Sequence, residues 1–132
     1  MPTVIRKSSP TLVETRREII RAIGWQVNAH TWCPPTDVYE TDQAFVVKVE
    51  VAGMREEDFE VAIENNVLMV TGNRPDSNER RAYYQMEIRT GKFEIAIAMP
   101  APVKVEMAVA EYKDGFLMIH LPKADQNQTE VK

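Results

Sequence analysis

Between Ala44 and Val51 the chain alternates, with Phe45, Val47, Val49 and Val51 on one side and Ala44, Val46, Lys48 and Glu50 on the other. Successive side chains of an extended backbone point to opposite faces, so a period of two predicts a strand with one strongly apolar face. Similar short runs follow as FEVAIEN (59–65), VLMVTGNR (67–74), AYYQMEIR (82–89), KFEIAIAM (92–99), VEMAVAEY (105–112) and FLMIHLP (116–122). Turn signals separate most of them: Asn65 with Asn66, Arg89 to Gly91, and Lys113 to Gly115. Seven or eight closely spaced strands within about 90 residues predict an all-β, two-sheet antiparallel sandwich rather than βαβ units. The longest polar connection is GNRPDSNERRA, whose composition predicts a mobile loop.

The first third reads differently. In residues 11–28 Leu12, Ile19, Ile23 and Val27 recur near helical spacing, with Ile20 beside them and Glu14, Arg16, Arg17, Glu18 and Arg21 mostly elsewhere. Thr11 and Glu14 fit a capping box after Pro10, so a short amphipathic helix is expected there. "WCPPTD" is a rigid break, because two prolines restrict the preceding residues and remove amide donors. The expected organisation is a helical arm over 1–34, a sandwich over 35–123 and a short extension over 124–132.

A formal charge of −4 argues against nucleic acid as a partner, because surfaces that track phosphates concentrate lysine and arginine. No apolar run approaches the ~20 residues that cross a bilayer, so no membrane association is expected. The single cysteine, Cys33, has no internal disulfide partner, and MPTVIRKSSP lacks the apolar core of a signal peptide. A cytoplasmic location is the expectation.

No catalytic constellation is visible. His30 and His120 are far apart, and Cys33 has neither a CxxC partner nor a patterned histidine, so neither a metal site nor a nucleophile is expected. Glu56, Glu57 and Asp58 are adjacent in a turn and read as a solvated acidic corner. The five glycines form no phosphate-binding motif, so no cofactor is expected and ATP use is not indicated. Met69, Met86, Met99, Met107 and Met118 all fall on expected strands. They fill core gaps or, at an exposed edge, adapt to varied apolar partners.

The order of these features resembles the α-crystallin domain of the small heat shock protein family from about Pro35 to Lys123. The closest signature is Ala110-Glu111-Tyr112-Lys113-Asp114-Gly115-Phe116-Leu117, in which Ala110, Gly115 and Leu117 match A-x-x-x-n-G-x-L, followed by Leu121-Pro122-Lys123. Upstream, Asp37-Val38-Tyr39-Glu40-Thr41, Val51-Ala52-Gly53-Met54 with Glu57-Asp58, Asn66-Val67-Leu68 with Gly72 and Arg74, and Gly91-Lys92-Phe93 ending at Met99-Pro100 follow in family order.

The resemblance implies an immunoglobulin-like sandwich acting as a holdase that binds partly unfolded client proteins without ATP and requires no catalytic residues. It also implies a homodimer in which Tyr83, Tyr84, Met86 and Ile88 form a strand that pairs with Asp37, Val38 and Tyr39 of the other chain, with higher oligomers built on it. A groove for clients or a tail is implied between Phe59, Val61 and Ile63 on one edge and Val105, Met107 and Val109 on the other. Leu12, Ile19, Ile20, Ile23 and Val27 would serve assembly or clients. The rival expectation is a scaffold that uses the same sandwich for self-assembly or one dedicated partner.

Two departures stand out. Ile95 occupies the position of a usual arginine, which predicts apolar packing with Phe93 and Ile97 in place of an ionic contact. Where an I-x-I/V tail is usual, the chain has Thr129-Glu130-Val131. Threonine buries less apolar area and brings a hydroxyl, which weakens docking by roughly 1 to 3 kcal/mol at a fully buried site.

Overall fold

The computed structural model describes residues 2–4 and 31–124. The helix expected at 11–28 and the tail at 129–131 lie outside them. The strands are β1 (Pro2–Val4), β2 (Thr36–Glu40), β3 (Ala44–Glu50), β4 (Phe59–Glu64), β5 (Val67–Arg74), β6 (Gly91–Ala98), β7 (Val109–Lys113) and β8 (Phe116–Pro122). They form a five-stranded sheet in the order β1-β7-β8-β3-β2 and a three-stranded sheet in the order β4-β5-β6. The pairings within both sheets are antiparallel.

Register follows from the apolar alternation, since a slip of one residue turns every core side chain toward water. Phe45, Val47 and Val49 of β3 lie opposite Leu121, Ile119 and Leu117 of β8, and all six are buried in the core. The second sheet answers with Phe59 and Ile63, Leu68 and Val70, and Phe93 and Ile95, from its three strands in turn. Ile95 is buried beside Phe93, with Ile97 partly buried against the same cluster, as its apolar character predicts. His120 is exposed on the opposite face of β8.

Two hairpins close on residues with positive φ, Asn65 (54°) with Asn66 (63°) and Asp114 (54°) with Gly115 (85°). Short two-residue hairpin loops favour this conformation because its twist matches that of the strands. Gly115 also brings its backbone against Ala52, where an added Cβ would lie 3.1 Å from the alanine methyl.

One expected strand finds no partner within the single chain, and another is shortened. Residues 82–89 form no strand in the single chain, because no edge of their own sandwich pairs with them. Residues Val105–Met107 form a 3-10 turn, and the strand begins only at Val109.

Candidate functional site

Five strands on one side face three on the other, so the longer sheet overhangs. β2 is its edge, and Val38 lies opposite the buried Val47 on the same face, yet Val38 is exposed. Cross-strand partners share a face, so Val38 looks toward the core layer at a place that sheet β4-β5-β6 does not reach. Tyr39 is exposed on the other face of the same edge. Among the described residues nothing pairs with the outer edge of β2.

The segment between β5 and β6 presents matching chemistry. Tyr84 is 102% exposed, Ile88 74% and Met86 64%, with Tyr83 exposed beside them. Apolar side chains held in water at alternate positions form a surface that the single chain leaves uncovered. The base of the segment is clamped: Arg74 donates through Nε (2.9 Å) and Nη2 (2.6 Å) to the carbonyl of Arg89. Its Nη1 donates to the carbonyl of Ala52 at 3.3 Å, and the guanidinium stacks 4.6 Å from the Trp32 ring. Further out, Arg81 Nη1 donates to the Tyr83 hydroxyl at 2.7 Å and its Nε to Glu79 at 3.2 Å. These contacts, the tyrosine first, hold the Arg81 guanidinium protonated above its ordinary range.

Trp32 is a residue that sequence reasoning passed over inside the proline-rich break. It is buried edge-on against Phe93, with ring centroids 5.6 Å apart, and its indole N–H donates to Gly91 at 3.0 Å. Its backbone bridges β6, accepting from Glu94 at 3.2 Å and donating to Lys92 at 3.1 Å. An aromatic beside a proline pair at a domain boundary was the available signal.

The expected groove is redistributed. Phe59 and Ile63 are buried in the core, whereas Val61 is half-buried at the β4 edge. Val105 (37%) and Met107 (57%) are exposed in the turn before β7, and Val109 is half-buried. Of the five strand-associated methionines, only Met86 and Met107 are exposed, one in each candidate surface.

Tyr112 locks β7 to the turn after β3. Its hydroxyl donates to the carbonyl of Val51 at 2.8 Å and accepts from the amide of Met54 at 3.3 Å, while its ring meets Phe59 edge-on at 5.2 Å. Tyr112→Phe keeps the ring and loses both hydrogen bonds, which is expected to cost about 1 to 2 kcal/mol in urea unfolding.

Glu56–Asp58 form an exposed 3-10 turn in which Asp58 accepts from the amide of Arg55 at 2.8 Å. Among the described residues no three His, Cys, Asp or Glu side chains converge on a point that holds a metal ion.

The fold is an immunoglobulin-like antiparallel sandwich with exposed edges. The Hsp20/alpha crystallin family model matches residues 37–132. Small heat shock proteins C2 and C4 of Rickettsia felis are 32% and 30% identical over 75% and 74% of the chain, which spans 68% and 61% of their lengths. The crystal structure of hspA from Xanthomonas axonopodis is 26% identical and superposes with a TM-score of 0.66, covering 71% of this chain and 96% of that one. The chain belongs to the Hsp20/alpha crystallin family, the small heat shock proteins, and this membership implies a chaperone role.

Proposed function

We propose that the protein is a cytoplasmic, non-enzymatic holdase that binds partly unfolded proteins without ATP and keeps them from aggregating. The supporting observation is the pair of complementary unfinished surfaces: exposed Tyr83, Tyr84, Met86 and Ile88 on one segment, and the open β2 edge with Val38 and Tyr39 on the other. Two copies related by a two-fold axis satisfy both at once, each segment completing the other copy's sheet. Asp37, Val38 and Tyr39 are the acceptor residues in this reading.

Clients then bind where apolar groups stay open in the dimer. Val61 on β4, Val105 and Met107 in the turn before β7, and Val109 at its start border that region, while Phe59 and Ile63 belong to the core. Leu12, Ile19, Ile20, Ile23 and Val27 of the arm over 1–34 supply a further apolar face for assembly or clients. Adaptable methionine and a strand edge suit unrelated extended segments, because backbone hydrogen bonding does not depend on client sequence.

An equimolar amount is expected to suppress the heat-induced light scattering of a thermolabile enzyme in the absence of ATP. Unchanged scattering at a several-fold excess of the protein overturns the reading.

A further inference from the structure

The outer edge of β7 is already occupied. Residues Pro2–Val4 pair with it antiparallel in the register Pro2 to Glu111, Thr3 to Ala110 and Val4 to Val109. This pairing makes β7 an internal strand, with β8 on its other side. We propose that the amino-terminal segment of the same chain is the resident occupant of the β7 edge, a cap that clients and the carboxy-terminal tail must displace. The proposal rests on the holdase reading for its consequence, and on the strand pairing alone for its structure.

Three observations carry it. First, the backbone of residues 2–4 is already seated in register along β7. Second, the cap is contiguous with the client surface: Val109 pairs with Val4 and stands two residues from the exposed Met107. Third, the competing tail segment is Thr129-Glu130-Val131, which lacks the first of the two bulky apolar residues that would anchor an extended chain beside an apolar edge. A poorly anchored tail leaves the edge to whichever segment of the chain is held nearby, since tethering raises effective concentration without any new contact.

The cap is built to be displaceable. A three-residue strand forms only a few backbone hydrogen bonds, each of modest net value once water competes. Pro2 stands at the outermost position and has no amide to donate, which suits the first residue of an edge strand and shortens the ladder further. Closed, the cap hides a row of β7 backbone groups that would otherwise recruit other strands. Open, it exposes that row next to Met107 and Val105.

The test compares the intact chain with a variant lacking residues 2–4 and with the double variant Thr3→Pro, Val4→Pro, which cannot donate in the ladder. Amide hydrogen exchange is read on Val109–Lys113, and binding is measured with a labelled synthetic peptide of residues 124–132. The expected result is at least tenfold faster exchange of the β7 amides that do not face β8 in both variants, with β3 and β8 unchanged. At least fivefold tighter peptide binding is expected alongside it.

Protection in the intact chain is expected to be independent of protein concentration. Loss on dilution overturns the assignment to the same chain, and equal exchange and peptide affinity in all three proteins overturns the cap. Suppression of client aggregation is measured separately on the intact chain. Its absence with the exchange pattern intact sinks the holdase reading and leaves the cap standing.

Discussion

A chain in which residues 79–88 are replaced by a short Gly-Ser linker is expected to be a folded monomer at concentrations where the proposed dimer of the intact protein forms. The removed segment carries Tyr83, Tyr84, Met86 and Ile88, all exposed in the single chain, so little of the sandwich's own core is lost. Its internal contacts are surface ones, such as Arg81 with Asp76 at 3.3 Å and with Glu79 at 3.2 Å, and exposed pairs of this kind contribute little to stability.

The interface, by contrast, loses everything twice. A two-fold dimer uses the same pair of surfaces on both sides, so one deletion removes two strand pairs and two apolar patches. The dissociation constant is expected to rise at least about a hundredfold, equivalent to roughly 2.7 kcal/mol. Light-scattering mass on a concentration series reads this directly. A second variant, Val38→Lys, places a charge on the acceptor edge while leaving the donor segment intact, as natural edge strands do to prevent pairing. Dimers of unchanged affinity in both variants, with unfolding curves like those of the parent, rule out strand exchange.

The second large effect lies in the core. Gly72 sits on β5 between Phe59 of β4 and Phe93 of β6 in the strand register. A Cβ there would fall 2.5 Å from Phe93 Cζ, 2.8 Å from its Cε2 and 2.9 Å from the backbone oxygen of Asp58. The ring of Phe93 thus occupies the space above the glycine, with Trp32 against its edge. Gly72→Ala is expected to destabilise the protein by about 3 kcal/mol, because one neighbour is backbone and the other a buried ring packed against Trp32.

Phe93→Ala is expected to cost about 3 to 5 kcal/mol by leaving a large cavity. The two sites are in contact, so the pair is not additive. Combining Gly72→Ala with Phe93→Leu is expected to cost at least about 1 kcal/mol less than the sum of the single changes, since the smaller side chain frees room for the new methyl group. Denaturant unfolding at one protein concentration reads all four proteins. A Gly72→Ala stability within about 0.5 kcal/mol of the parent contradicts this packing, since that is the scatter of ordinary surface changes.

Much of the sandwich was legible because its information is local. The alternation around Phe45, Val47 and Val49 and around Leu117, Ile119 and Leu121 named the core faces of β3 and β8, and these six residues are buried. Asn65-Asn66 and Asp114-Gly115 named two hairpin turns, and all four residues have positive φ. Ile95, read as apolar packing where an arginine is usual, is in the core.

The edges were not legible in the same way. Residues 82–89 alternate as convincingly as any strand in the chain, yet they form none in the single chain. Phe59 and Ile63, expected at a groove, are buried in the core, and Val105–Met107 bend into a 3-10 turn. Trp32 and Arg74 turned out to tie the start of the domain, β6 and the base of the exposed segment together.

Alternation determines which side of an extended segment is apolar, because side-chain direction depends only on the neighbouring residues. It does not determine whether a strand has a partner, because each amide and carbonyl must find its counterpart on a segment far away in sequence or on another chain. By itself, then, the sequence determined the layers, the turns and the faces of the strands. The tertiary structure decided the edges: β2 left open, β6 bridged by Trp32, and β7 covered by residues 2–4, each according to which distant backbone groups came within hydrogen-bonding reach.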